Sequence, residues 1–215
     1  MSEFAFQPEH FERVDETVDE EFYGQPRLVV HIDEDAIAAA RELYRSLLPP
    51  QGRVLDLMSS WRSHLPQDLA FEKVVGLGMN AVEMGDNPQL SESVVHNLNT
   101  DPRLPFGRDE FDAAINTVSV QYLTRPVEVF AEVHRVLRPG SLYIVTFSNR
   151  CFPTKAVRIW RSLGDEGHAQ LIAAYFRSSA AWSDLHAVYC NPDATGDPLY
   201  AVYARKAEGA AVHAD

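Results

Sequence analysis

Apolar positions along this chain recur in two periods, and those periods divide it into strands and helices. Val54–Leu57 and Lys73–Leu77 are short apolar runs of the kind buried on both faces of a parallel sheet. Phe111–Val120, introduced by the turn 105–110, predicts a further strand, and Ser141–Phe147 another. Between them the period lengthens to that of a helix. Over 33–48, Asp33 is the N-cap, acids follow in the first turn, and Ile37, Leu43, Leu47 and Leu48 supply the apolar positions before Pro49-Pro50 ends it. Over 126–137, Pro126 suits the first turn, Val129, Phe130, Val133, Val136 and Leu137 form the buried stripe, and Arg138-Pro139-Gly140 stops it. Residues 154–176 read as mostly helical. Ala187–Cys190 and Leu199–Ala204 form a closing antiparallel pair around the Pro/Asp/Gly-rich loop 191–198.

Strands alternating with helices predict an α/β fold, a Rossmann-like, doubly wound sheet of seven mostly parallel strands with helices on both faces and a terminal antiparallel hairpin. Ligands of such sheets bind beyond the carboxyl ends of the strands. The expected division is an acidic N-terminal segment and possible lid over 1–32, the main domain over 33–206, and a flexible tail over 207–215. The acids at 9, 12, 15, 16 and 19–21, with little periodicity, suggest a loosely docked lead-in.

Composition narrows the chemistry. The chain has 215 residues, enough for one such domain, and a net charge of −12 that works against binding a phosphate backbone. Cys151 and Cys190 are the only cysteines and form no CxxC pair, and the histidines show no metal spacing. No signal-peptide pattern opens the chain and no apolar stretch is long enough to span a bilayer, so the expectation is a cytoplasmic protein acting on a small molecule, without nucleic acid, membrane or metal, as a monomer or homodimer.

The first strand ends in an acid, Asp56, followed by Leu57-Met58-Ser59-Ser60-Trp61-Arg62-Ser63-His64, and no glycine occurs between Gly52 and Gly76. Loops in this position are normally glycine-rich, because a residue without Cβ turns tightly and lets backbone approach a ligand. Here Ser59 and Ser60 offer hydroxyls and amides, Arg62 or His64 a positive charge, and Trp61 a face for an apolar or sulfonium group. Met58 and Trp61 can equally be packing residues of a loop that binds nothing.

Leu104-Pro105-Phe106 through Phe111-Asp112, Tyr122-Leu123, and Glu132-Val133-His134-Arg135-Val136-Leu137-Arg138-Pro139-Gly140 resemble class I S-adenosylmethionine-dependent methyltransferases of the type 11-like group. Val54-Leu55-Asp56-Leu57, Val74-Val75-Gly76 and the final strand extend the resemblance over about 50–206. It implies the cofactor S-adenosyl-L-methionine and a transferase of one-carbon groups. The cofactor positions it implies are Asp56, Met58, Ser59, Ser60, Trp61 and His64 after the first strand; Gly78, Met79 and Asn80, where relatives hold the ribose hydroxyls with an acid; Asn97 and Asn99, toward the adenine amino group; and Thr117 and Val118, beside the methionine portion. The chain departs from the family in lacking the loop glycines and in having Gly78 at the ribose acid position.

On the reacting side, Tyr122, Asn149 and Arg150 are the catalytic candidates, and Gln121, Lys155, Tyr23 and His31 the substrate-binding ones. The cations after the fifth strand suit an anionic substrate, although each can also pair with surface acids, and Tyr122 can also serve to cap the sheet. The aromatic pair Phe22-Tyr23 beside Gly24-Gln25-Pro26-Arg27 fits a hinge folding over a pocket, or an anchor for a loose tail. The expected function is methyl transfer to a small, anionic molecule; the alternative is a catalytically inactive, methyltransferase-like binding or partner protein.

Overall fold

A computed structural model describes residues 5–208. Among them the strands β1 (Arg53–Leu57), β2 (Lys73–Gly78), β3 (Glu92–Val95), β4 (Phe111–Thr117), β5 (Leu137–Phe147), β6 (Trp182–Tyr189) and β7 (Tyr200–Lys206) make one sheet in the order β3-β2-β1-β4-β5-β7-β6. The first five pair in parallel, and β7 runs antiparallel between β5 and β6. The helices are α1 (Asp19–Tyr23), α2 (Glu34–Leu47), α3 (Ala81–Gly85), α4 (Pro126–Val136), α5 (Arg158–Arg161) and α6 (Asp165–Ser179). This is the Rossmann-like, doubly wound sheet that the alternating periods predict.

Each central strand feeds two cores. Val54, Ala113, Ile115, Leu142 and Ile144 pack with α2 on one face, while Leu55, Leu57, Ala114 and Tyr143 pack with α4 and α6 on the other. Asp33 caps α2 by accepting the Ala36 amide at 2.9 Å, as the sequence indicates. Strand order reverses at β1 and β4, which opens a crevice at their carboxyl ends.

Several elements differ from the sequence pattern. The strand expected to run to Val120 stops at Thr117, because Val118 takes a left-handed backbone (φ 46°) and the chain enters a 3-10 turn at Val120–Tyr122. The helical stretch 154–176 splits into α5 and α6. β5 begins at Leu137, and β6 at Trp182, where its mostly exposed edge positions lack an apolar period. The N-terminal segment is docked, contrary to the loose lead-in expected. Phe6 and Phe11 meet the Tyr175 ring at 5.2 and 6.3 Å, and the Asp15 amide donates to the Thr154 carbonyl at 2.9 Å. The expected tail lies mostly outside the described residues. No helix among them is long and apolar enough to cross a membrane.

Candidate functional site

A cleft of about 490 Å³ lies over the carboxyl ends of β1, β2, β4 and β5. Its floor is Met58, Ser59 and Ser60 after β1, Met79 and Asn80 after β2, and Thr117 and Val118 at the end of β4, with Tyr122 following. Asn149 and Arg150 follow β5, and Tyr23 and His31 come from the N-terminal segment. Met58, where relatives carry the first glycine of the loop, keeps the left-handed turn of a glycine (φ 57°). Met58 and Val118 thus hold sparsely populated backbone at the ends of two adjacent central strands, both facing the cleft.

Six further lining residues were not singled out by sequence: Arg27, Val30, Glu83, Ser119, Cys151 and Phe152. Glu83 belongs to a five-residue helix with no readable period. Arg27 sits in the aromatic hinge segment, where only its neighbours suggested a role. Its guanidinium lies 4.5 Å from the Phe22 ring centre and 5.7 Å from that of Phe152, and no carboxylate among the described residues pairs with it. Arg150 is 62% exposed, with Asp197 at 3.8 Å. The cleft's acid, Glu83, is occupied by the Arg27 amide at 2.7 Å and the Ser60 hydroxyl at 2.6 Å. Two cations therefore face the cleft against one engaged carboxylate. The Tyr122 hydroxyl accepts the Phe152 amide at 2.8 Å, and burial pushes its pKa up to about 12, so it is a positioned hydroxyl and not a base near neutrality. Burial also raises the Cys151 thiol, which keeps it protonated.

Other candidates lie away from the cleft. Asp56 is buried beneath the loop, where it accepts the Ser59 and Ser63 hydroxyls at 2.6 Å each. Trp61 donates its indole N–H to the Val29 carbonyl at 2.8 Å and stacks with Arg62 at 3.9 Å. His64 is buried, and Gln121 is buried with its amide turned to the Val118 carbonyl. Lys155 is fully buried: its Nζ donates to the Thr17 carbonyl at 2.6 Å and lies 3.4 Å from Asp19 and 3.6 Å from Asp15. It anchors the N-terminal segment and is unavailable to a substrate in this arrangement.

Asp56 and His64 give the loop opposed pH responses. Burial raises Asp56 to about 6, against the lowering effect of its two serines, and burial lowers His64 to about 4, helped by Arg41 and Arg62. The Asp56 contribution to stability is full below its unfolded value near 4 and is lost as pH rises through 6; the His64 contribution is full above 6.5 and is lost as pH falls toward 4. Displacements of this size correspond to about 3 kcal/mol each, so they largely cancel in the native protein. Asp56→Asn removes one arm. Thermal melts between pH 4.5 and 8 should show the variant at its best relative to the native protein at the alkaline end, with that advantage shrinking as pH falls; a constant difference would contradict the assignment.

The asparagines expected on the nucleoside side of the cofactor are engaged by the N-terminal segment, although Asn97 and Asn99 also line an outer groove of about 470 Å³ together with Arg13, Asp19 and Glu20. Between Tyr23, Asp19, Met79, Asn97, Asn99 and Tyr122 lies a small cavity of about 30 Å³. The amides that the resemblance assigns there are engaged. Asn99 donates to Asp19 at 2.8 Å and to the Tyr122 carbonyl at 3.0 Å, and Asn97 donates to Glu20 at 2.8 Å. Asn80 donates to the Tyr23 carbonyl at 2.9 Å and caps α3 with its oxygen. The Ser59 amide donates to the Leu77 carbonyl at 2.8 Å, which draws the loop across β2 until the Ser59 carbonyl fills the space a Gly78 side chain would need. The residues present thus leave an open cleft for the amino-acid end of S-adenosylmethionine, while the asparagines on its nucleoside side are committed to the N-terminal segment in this conformation.

Sheet order and the crevice at the switch point give the chain the Rossmann-like fold of class I methyltransferases. Residues 65–145 match the family model described as a methyltransferase domain. A stretch of 77 residues is 27% identical to the biotin biosynthesis bifunctional protein BioHC of Teredinibacter turnerae, covering 36% of this chain and only 14% of that protein. The S-adenosylmethionine-dependent methyltransferase from Mesorhizobium loti superposes with a TM-score of 0.54 at 18% identity, over 78% of this chain and 97% of that one. The cyclase SpnF does so with a TM-score of 0.58 at 15% identity, over 88% and 92%. In sequence over 65–145 and in fold over most of its length, the chain is similar to class I S-adenosylmethionine-dependent methyltransferases.

Proposed function

We propose that this protein is an S-adenosylmethionine-dependent methyltransferase whose acceptor is a small anionic molecule held in the 490 Å³ cleft. The observation that carries the acceptor class is the pair Arg27 and Arg150, two guanidiniums turned toward one cleft in a chain of net charge −12. Such a focus of positive potential draws anions, and a fork-shaped guanidinium binds carboxylate or phosphate oxygens in pairs. The cofactor supplies an electrophilic methyl group; the chain supplies alignment. Phe152, Tyr122 and Tyr23 wall the cleft and exclude water, Arg27 and Arg150 fix the anionic end, and Asn149 with the Tyr122 hydroxyl orients the accepting atom. In this reading Met58, Ser59, Ser60, Thr117 and Val118, which line the cleft at the ends of β1 and β4, meet the cofactor's amino-acid end.

A second reading, a catalytically inactive binding protein, has one specific observation in its favour: the asparagines on the nucleoside side are engaged by the chain itself. A fold of this type also hosts other chemistry, as the cyclase SpnF illustrates, so the fold alone does not fix methyl transfer. Calorimetric titration with S-adenosylmethionine and S-adenosylhomocysteine separates the two: binding of either supports the enzyme, and absence of both from folded protein supports the binding protein. For the acceptor, thermal-shift screening against small carboxylates and phosphate monoesters should yield hits that Arg27→Gln/Arg150→Gln weakens by about tenfold to a hundredfold. Equal affinity in the double variant would overturn the anion assignment.

A further inference from the structure

The asparagines that the resemblance assigns to the cofactor's nucleoside are bonded here to the chain's own N-terminal segment. This inference rests on the cofactor reading above. Tyr23 lies between the large cleft and the 30 Å³ remnant, lining both, and its buried hydroxyl has no hydrogen-bond partner. With its hydroxyl unpartnered, Tyr23 is held by its ring contacts and main chain, and its carbonyl takes the amide of Asn80. Asp19, 3% exposed, lies one helical turn before it. One of its oxygens accepts from Arg13 at 2.5 Å and lies 3.4 Å from Lys155 Nζ, and the other accepts from Asn99 at 2.8 Å. The same segment supplies Glu20 to Asn97.

We infer that residues 13–24 are an internal competitor of the cofactor: Tyr23 plugs the nucleoside seat and Asp19 latches the plug through Arg13, Lys155 and Asn99. The two occupants compete, because Asn80 and Asn97 donate their amides to the segment and Asn99 gives one of its two to Asp19, so a nucleoside that takes these donors must displace it. Cofactor affinity is then the intrinsic affinity multiplied by the fraction of molecules with the segment withdrawn.

The latch is opened by Asp19→Ala and the plug removed by Tyr23→Ala; each variant is checked for fold by circular dichroism and its melt. Titration of native protein and both variants with S-adenosylhomocysteine, and separately with adenosine, should show both variants binding about tenfold or more tightly than the native chain. A merely structural role for Asp19 and Tyr23 would lower the melting temperature without raising affinity. Equal or weaker binding in both folded variants overturns the competitor while leaving the cofactor reading intact. No binding of either probe to any of the three proteins overturns both.

Discussion

Gly78→Asp, the substitution that restores the family's ribose acid, is expected to destabilise the protein by about 3 kcal/mol and to leave cofactor affinity unimproved. In relatives that acid accepts both ribose hydroxyls from the end of the second strand. Here the Ser59 carbonyl stands where its Cβ would go, and Met84 sulfur closes the other side. The clash is with backbone, which cannot swing aside as a flexible side chain would. Relieving it requires breaking the bond from the Ser59 amide to the Leu77 carbonyl, and with it the loop's course over Asp56, Ser63 and Asn87. Denaturant unfolding measures the loss, and calorimetry with S-adenosylhomocysteine measures affinity. A variant of native stability that binds more tightly would show that the loop lies elsewhere in solution.

Lys155→Ala is expected to cost about 3–5 kcal/mol, the usual penalty for leaving a buried ion pair without one partner. Lys155 is fully buried and Asp19 nearly so; removing the ammonium leaves the Thr17 carbonyl without its donor and Asp19 with Arg13 and Asn99 as its remaining partners. The loss should concentrate on the N-terminal segment, which runs along residues 154–158 through bonds from the Asp15 amide to Thr154 and from the Arg158 amide to Glu12. Limited proteolysis should therefore cut within 12–24 in the variant before the domain unfolds. A loss under about 1 kcal/mol, with the segment still protected, would mean that Lys155 is not what holds it.

The fold was legible because its elements are long and strongly patterned. The buried runs of β1, β2 and β4, the capped α2 and the amphipathic α4 each satisfy a period that few other arrangements allow. β3, α1 and α3 were not individually legible, being four or five residues long and mostly exposed or held by side-chain bonds. The cleft was partly legible. Strand ends marked Met58, Asn80, Thr117 and Asn149, and sequence distance concealed Arg27 and Glu83, which meet only through the fold. Lys155 illustrates the opposite limit: a lysine after a strand end suggests a ligand, and only the packed acids Asp15 and Asp19 reveal a buried tie. Asn97 and Asn99, which the resemblance assigns to the cofactor, donate instead to Glu20 and Asp19 of a segment whose acidity alone suggests a loose tail.

Hydrogen exchange of the amides in 13–24, with and without saturating S-adenosylhomocysteine, is the most direct test that segment and nucleoside share one seat. The expected result is slow exchange in the free protein and faster exchange across 13–24 once the ligand is bound. Unchanged or deeper protection of 13–24 in the saturated complex would contradict it.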